Sequence, residues 1–171
     1  MLHSCFGLPD ERYFRTRYAV LREPLGMPPG SERLADDDQA VHAWVEEDGA
    51  VIGVGRAHII PEGTDGSGAD HKGPGAARIP PFGPLADASA RRPVFQIRQM
   101  GTLPTHQRQG YAAAVLGELE RIMTEEHGCK TGLLQAREHA IPFYKAQGWT
   151  IIDEPYAIGA IGPHRSMMKD Y

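Results

Sequence analysis

The stretch GTLPTHQRQGYAAAVLGELERIM, from Gly101 to Met123, decides the fold. It runs from a strand-like segment through a proline and several polar residues to a single glycine, and then into a helix with an apolar stripe. The first turn of a helix has unpaired N–H groups at the positive end of its dipole, so this order of elements favours an anion site. The segment therefore indicates either a phosphate-binding turn or the simple start of a helix.

Three small residues favour the binding interpretation. Gly110 lets the backbone approach a ligand closely, and Ala112 and Ala113 keep the next turn free of bulky side chains. Other phosphate motifs are missing, because the chain has no GK[ST] of a P-loop and the turn has no G-x-G-x-x-G of a dinucleotide site. The G-x-G at Gly53 is followed by a strand-like run and is interpreted as a site of close packing.

The composition indicates one domain spanning residues 1–171, since a domain usually has roughly 100 to 200 residues. The 41% of hydrophobic and 23% of charged residues are typical of a soluble globular protein. No segment approaches the roughly 20 apolar residues of a membrane span, so we expect no membrane association. A net charge of -4 favours no large nucleic-acid surface, and we expect no nucleic-acid partner.

The N-terminal residues lack a basic region followed by an apolar run, and Cys5 and Cys129 are too few for a disulfide framework. Both features predict a cytoplasmic location. Cys129 follows Gly128 and is interpreted as a packed thiol. The acidic residues 36–38 are interpreted as a solvated turn, so no metal site is expected.

The first half of the chain predicts a helix and an antiparallel hairpin. A helical spacing of apolar residues begins at Asp10 and ends before a proline and a glycine. Two β-rich runs, 40–47 and 50–60, are joined by the Asp-Gly pair 48–49, which strongly favours a tight turn.

Residues 61–93 are rich in glycine and proline and predict a long insertion loop. Three apolar side chains, Ile79, Phe82 and Leu85, are expected to attach it in part. A binding lid and a disordered segment both remain open, because long loops are usually one or the other.

The next run, VFQIRQMGTL, predicts a strand with a β-bulge. Phe95 and Ile97 lie on one face and are followed by Met100 and Leu103, so the two-residue period slips near 99–101. A bulge re-aims the backbone and often lies beside an active site.

The second half alternates between helices and strands. A long helix is predicted over 109–126, then the strand TGLLQA, the short helix HAIPFYKAQ, the strand WTIIDEPY and a weaker C-terminal strand. This alternation favours parallel pairing in the second half and a mixed sheet overall.

These motifs resemble the GNAT superfamily of N-acetyltransferases. The run TLPTHQRQGYA is similar to its signature V-x-P-x-x-[RQ]-x-x-G-x-[GA], and REHAIPFYKAQGW is similar to its second signature, A-x-x-F-Y-x-x-x-G-[FW]. The C-terminal run EPYAIGAIGPHRSMM, with AREHA, is further similar to the ElaA-like subgroup. The matching positions are Pro104, Gln107, Gly110 and Ala112 in the first signature, and Ala140, Phe143, Tyr144, Gly148 and Trp149 in the second.

The resemblance implies a single-domain α/β fold, with a mixed, centrally splayed sheet of six to seven strands flanked by helices. It also implies acetyl transfer from acetyl-CoA, as a cosubstrate and without a metal, to a small amine or a peptide amine. A homodimer is expected by analogy alone. The cofactor would contact Met100, Gly101, Thr102 and Leu103 on the bulged strand, and Gln107, Arg108, Gln109, Gly110, Tyr111 and Ala112 in the turn. Arg137 stands where many members have a cofactor-binding asparagine, and it is assigned to a cofactor phosphate, a substrate carboxylate or neither.

The resemblance assigns Tyr144 as the acid that protonates the departing thiolate, whereas its spacing alone also fits a core tyrosine. The base is less clear, because Gln96 occupies the position of the usual glutamate and an amide cannot accept a proton at neutral pH. The other titrating groups are His58, Glu138, His139 and His164, each of which also has a structural interpretation. An alternative function is therefore a catalytically degenerate sensor or interaction module that binds acetyl-CoA.

Overall fold

The computed structural model describes residues 1–87 and 90–171. Within that part of the chain the helices are α1 (Glu11–Leu21), α2 (Tyr111–Arg121) and α3 (Ile141–Ala146). The strands are β1 (Leu2–Phe6), β2 (Val41–Glu47), β3 (Ala50–Ile59), β4 (Gly68–Ala69), β5 (Arg78–Ile79), β6 (Val94–Thr102), β7 (Thr131–Arg137), β8 (Thr150–Ile151), β9 (Tyr156–Ile158) and β10 (Gly162–Asp170).

The main sheet has eight strands in the order β1-β2-β3-β6-β7-β10-β8, with β9 paired to β10. Strands β6 and β7 run parallel, and their register ends where Ile97 pairs with Leu134. Both strands continue beyond this pair, so they diverge there. The expected mixed, centrally splayed sheet is confirmed.

Two parts of the sheet differ from the sequence-based expectation. Strand β1 pairs with the edge of β2 and adds a strand that no alternation of residues had indicated. The C-terminal strand β10 is nine residues long and lies antiparallel between β7 and β8. The run WTIIDEPY, expected as one strand, forms β8 and the start of β9 instead, because each pairs with a different part of β10.

The two long helices cover opposite faces of the sheet. The side chain of Asp10 caps α1 by accepting a hydrogen bond from the Arg12 N–H. Buried α1 residues pack on β3 in a cluster of Tyr13, Phe14, Val51 and Val54. The apolar stripe of α2 packs on the other face, in a cluster that includes Val115, Leu116, Leu119, Phe95 and Ile97. We call these the α1 face and the α2 face.

The predicted helix over 109–126 begins at Tyr111 and continues beyond α2 as a π-helical turn, Ile122–Glu126. It ends before Gly128, which has a positive φ of 68°. None of the helices in the described residues is long and apolar enough to cross a membrane.

In the described residues of the insertion, 61–87 and 90–93, the regular structure is limited to the short β4–β5 pair and one 3-10 turn, Gly83–Ala86, as expected of a loop. The predicted anchors Ile79, Phe82 and Leu85 are all buried. Phe82 and Leu85 form a second apolar cluster with Val94 and Leu133 on the α1 face. Residues 88 and 89 of this predicted loop lie outside the described residues.

The predicted bulge in β6 is confirmed. Along β3, Val54 and Arg56 pair with Gly101 and Arg98, so β6 has one residue more than its partner between these two pairs. Gln99 lies in this interval and has a positive φ of 58°. The bulge comes directly after the last parallel pair of β6 and β7, so it turns the backbone where the two strands diverge.

Candidate active site

A cleft of about 220 Å³ lies where β6 and β7 diverge. Residues 96–102 of β6 form one wall, and residues 135–137 of β7 form the other. The C-terminal end of α1 and part of the insertion close it on the α1 face, while Tyr144 borders it from α3. The fold thus brings these five separated segments of the chain to one site.

The glycine turn leads from β6 into α2. Gly110 has a positive φ of 86°, which favours glycine, and its carbonyl accepts a hydrogen bond of 3.0 Å from the Ala114 N–H. The N–H groups of 111–113 precede this first helical bond and are not used within the helix. A Cβ on Gly110 would meet no atom within 4 Å, so the turn has space for a ligand. Free N–H groups at the start of a helix can bind an anion such as a phosphate.

The end of β6 also fits a ligand with amide groups. Leu103 donates its N–H to the Ile52 carbonyl at 2.8 Å, so the Thr102 N–H, on the alternate side of the strand, faces away from β3. Thr102 Oγ1 is buried and has no hydrogen-bond partner in the described part of the chain. The Gln107 amide donates to the Thr102 carbonyl at 3.4 Å and connects the strand to the turn.

The remaining cofactor candidates divide into two groups. Met100, Gly101, Thr102 and Gln107 line the cleft. Arg108, Gln109 and Gly110 are exposed in the turn, with Tyr111 and Ala112 half-buried at the start of α2. The Tyr111 hydroxyl donates to the Glu47 carboxylate at 3.0 Å, which attaches the start of α2 to the end of β2.

Tyr144 is 7% exposed and borders the cleft. Its ring contacts Phe143 and Trp149 edge-on, with centroids 5.0 and 6.4 Å away. Burial raises the pKa of Tyr144 above its usual value, and the nearby Arg137 guanidinium only partly opposes this. The phenol is therefore protonated at neutral pH and can donate a proton.

The four candidate bases lie in different environments. His164 and His139 both line the cleft, the former buried and the latter exposed. Glu138 is exposed and is not among the residues that line the cleft. His58 borders a second cavity, and burial together with the neighbouring Arg56 lowers its pKa to about 3.

The geometry of His164 suits a proton acceptor. Its Nδ1 lies 2.8 Å from the Gly162 carbonyl oxygen, which can only accept, so Nδ1 carries the proton and Nε2 has the lone pair. Burial lowers the pKa of His164, and Arg137 lowers it further. The ring is therefore neutral at pH 7. Gln96, at the position of the usual glutamate, is buried and borders both the cleft and the second cavity.

Sequence reasoning missed Arg22, Asp70 and Arg98 on the α1 face, whereas it had named Arg137 as a candidate. Arg22 donates to Asp70, from Nη1 to Oδ2 at 3.3 Å and from Nη2 to the carbonyl at 2.8 Å. Arg98 donates to the Ala69 and Asp70 carbonyls at 3.3 Å, and Arg137 donates to the Leu21 carbonyl at 3.3 Å. These arginines come from three unrelated segments, so no local pattern connects them.

The acidic segment 36–38 is not simply a solvated turn. Asp37 is buried, and its carboxylate accepts hydrogen bonds from Arg17 at 3.2 Å and Arg56 at 2.8 Å. The interpretation as a solvated turn was wrong for Asp37, because the two partners approach from α1 and β3 and are distant in sequence. Among the described residues no group of three or more His, Cys, Asp or Glu side chains could hold a metal. Cys129 is buried, and burial raises its pKa to about 11, as expected of a packed thiol.

Residues 10–149 match the sequence model of the acetyltransferase (GNAT) family. A segment of 75 residues is 29% identical to the uncharacterized N-acetyltransferase YjcF of Bacillus subtilis (strain 168), and it covers 44% of this chain and 53% of that protein. The chain therefore spans about half the length of this curated relative.

Solved structures of similar proteins cover nearly the whole chain. Escherichia coli ElaA has a TM-score of 0.72 at 14% identity, with 99% of both chains covered. An aminoglycoside 6'-N-acetyltransferase complexed with coenzyme A has a TM-score of 0.65 at 13% identity, with 99% of this chain and 96% of that chain covered. At these identities the likeness concerns the fold.

Proposed function

Because the chain belongs to the acetyltransferase (GNAT) family, we propose that it transfers an acetyl group from acetyl-CoA to a primary amine by direct attack in a ternary complex. The observation that carries this proposal is the cleft between β6 and β7, which extends from Gln107 in the glycine turn to the charged residues of the α1 face. Bound acetyl-CoA supplies the acetyl group on a thioester.

The glycine turn and the end of β6 hold the cofactor in this proposal. The free N–H groups of 111–113 and the positive end of α2 bind the pyrophosphate. The Thr102 N–H and hydroxyl contact the pantetheine amides. Met100, just after the bulge, offers its N–H to the negative charge that develops on the thioester oxygen, a type of contact worth about 3 kcal/mol or more in other enzymes.

His164 acts as the base. An amine with a pKa of about 10 is mostly protonated at pH 7 and must lose a proton before it attacks. His164 Nε2 accepts this proton, because the hydrogen bond from Nδ1 to Gly162 keeps the lone pair on Nε2. His139 is the second candidate, since it also borders the cleft.

Tyr144 acts as the acid. A new N–C bond forms while the C–S bond breaks, and the thiolate of CoA leaves with the bonding electron pair. The Tyr144 phenol donates its proton to that sulfur and recovers one from solvent or from the protonated base. The position of Tyr144 at the border of the cleft supports this role, and the phenol is protonated at neutral pH.

The test is a calorimetric titration with acetyl-CoA, CoA and ATP, followed by thiol release with a panel of amines. We expect acetyl-CoA and CoA to bind and ATP to bind much more weakly, and at least one amine to release thiol. If acetyl-CoA binds but no amine releases thiol, the protein is the degenerate sensor, an alternative motivated by Gln96. Absence of acetyl-CoA binding would overturn the assignment of the turn.

A further inference from the structure

Three arginines border the cleft on the α1 face. Phe95 and Ile97 point into the α2-face core, so Arg98, one residue further along β6, points the opposite way. Its contacts with the carbonyls of 69–70 in the insertion agree with this direction. Arg22 caps the end of α1, and Arg137 reaches from β7 to Leu21.

The cleft has more positive than negative charge. Asp70 is the one carboxylate among the described residues that line it, whereas Arg22, Arg98 and Arg137 contribute three guanidinium groups.

Burial lowers the pKa of all three arginines. Burial and, after it, the positive charge of the neighbouring Arg56 lower the pKa of Arg98 to about 9. The Asp70 carboxylate is already shared with Arg22, His71 and the N–H of residue 77. Outside the cleft, Asp36 also attracts the Arg98 guanidinium, but its carboxylate already accepts a hydrogen bond of 2.6 Å from Arg56. Within the described part of the cleft, three guanidinium groups therefore face a single carboxylate.

Two guanidinium nitrogens support the same conclusion. Arg22 Nε and Arg17 Nη2 are buried and make no hydrogen bond to any residue that the structure describes. Arg22 lines the cleft, and Arg17 donates from Nε to Gln99, which also lines it. Buried charged donors without partners are costly, and an anion in the cleft would decrease that cost for Arg22, which lines the cleft.

An anion bound by these arginines would not be the cofactor pyrophosphate. The turn proposed to bind the pyrophosphate begins α2, which packs on the α2 face, whereas Arg22 and Arg98 lie on the α1 face. The cleft also adjoins the second cavity of about 290 Å³, because Ile79, Gln96 and Arg98 border both. The α1 face therefore offers space and positive charge for the acceptor.

We propose that Arg98 and Arg22 bind a carboxylate of the acceptor, so that the acceptor is a small amine bearing a carboxylate, of the amino acid class. This inference rests on the proposed acetyltransferase function. Guanidinium groups bind carboxylates with strong, charge-assisted hydrogen bonds. The same charge disfavours polyamines and aminoglycosides, whose ammonium groups would enter an already positive pocket.

The experiment compares amines that differ only in the carboxylate. The common L-amino acids are each tested with the corresponding amide and the decarboxylated amine, both by thiol release and by calorimetry on the CoA-saturated protein. Wild type, Arg98→Gln and Arg98→Lys are compared with Arg15→Gln, which removes an exposed arginine of α1. Thermal unfolding of each variant verifies that it folds.

We expect at least one amino acid to exceed its amide by tenfold or more in kcat/KM and in affinity. Arg98→Gln should abolish that preference, mostly through KM, while Arg98→Lys restores part of it and Arg15→Gln preserves it. If an amide, a polyamine or an aminoglycoside is acetylated best, the carboxylate site is overturned and the acetyltransferase function stands. If no amine releases thiol, the proposed function fails. In that case the calorimetric comparison of each amino acid with its amide still tests whether the cleft binds a carboxylate.

Discussion

Val20, in the last turn of α1, lies against the backbone of Gly101 in β6, and a Cβ on Gly101 would come within 2.6 Å of Val20 Cγ2. The same Cβ would lie 3.2 Å from Leu21 Cδ2. The missing side chain at Gly101 therefore allows the end of α1 to rest directly on the strand that follows the bulge. Since both elements line the cleft, its width depends on this contact.

Gly101→Ala should destabilise the protein by about 1–3 kcal/mol, because the added methyl group forces α1 away from β6. Urea unfolding measures this change. Gly117→Ala is the matched control on α2, where a Cβ meets no atom within 4 Å, and it should stabilise by up to about 1 kcal/mol. Equal effects of the two substitutions would contradict the close packing of α1 on β6.

Gly110→Ala should weaken CoA binding about tenfold, or 1.4 kcal/mol, because it strains and crowds the turn that is proposed to bind the pyrophosphate. Gly128→Ala is the control, since Gly128 also has a positive φ and open space but follows the π-helical turn. Both variants should lose about 1 kcal/mol of stability from the left-handed backbone. A loss of CoA affinity in both, or in neither, would place the cofactor elsewhere.

Tyr144→Phe should decrease turnover at least about tenfold, equal to 1.4 kcal/mol of barrier, while acetyl-CoA affinity changes less than about twofold. The phenol is removed without changing the ring that packs on Trp149. Tyr18→Phe serves as the control, because the Tyr18 hydroxyl donates to the Met27 carbonyl outside the cleft. An unchanged rate in Tyr144→Phe would reject the proposed acid.

The turnover of the wild type should increase with pH through the pKa of His164, which burial holds below its usual value of about 6.5. His164→Gln should remove this acidic limb and decrease turnover at neutral pH by at least about tenfold, since a base contributes roughly 100-fold or more. His127→Gln, beyond α2, should preserve the profile. If His139→Gln removes the limb instead, His139 is the base.

His42 should make the protein less stable in mild acid. It is fully buried between the Tyr13 hydroxyl and the Asp37 carbonyl, and burial lowers its pKa to about 4. In the unfolded chain His42 binds a proton below about pH 6.5, whereas in the folded protein it does so only near pH 4. The contribution of the neutral, buried ring to stability is therefore complete above about pH 6.5 and decreases as the pH falls toward 4. At 1.36 kcal/mol per pKa unit, the loss reaches about 3 kcal/mol. The free energy of unfolding, measured with urea at several pH values across this range, should change less with pH in His42→Gln than in the wild type.

Local sequence signals predicted most of the fold. The Asp-Gly pair 48–49 predicted the hairpin, the period slip at 99–101 predicted the bulge, and the apolar stripe of α2 predicted a long helix. The family resemblance is confirmed by the match over residues 10–149. Strand β1 was missed because its five residues include the small or polar side chains of His3, Ser4 and Cys5. It also lies at the edge of the sheet, where it pairs with β2, and its residues are only half-buried or exposed.

The sequence by itself determined most of the elements, the glycine turn before α2 and the helix that carries Tyr144, because each depends on residues within one or two turns of a helix or along one strand. Only the tertiary structure decided which charges meet in the cleft. Arg22, Asp70 and Arg98 lie on α1, the insertion and β6, and they become neighbours when α1 and the insertion cover the same sheet face. The same holds for His164, which the antiparallel pairing of β10 with β7 brings opposite Arg137. Charge and burial in such a site arise from long-range packing, which local periodicity does not encode.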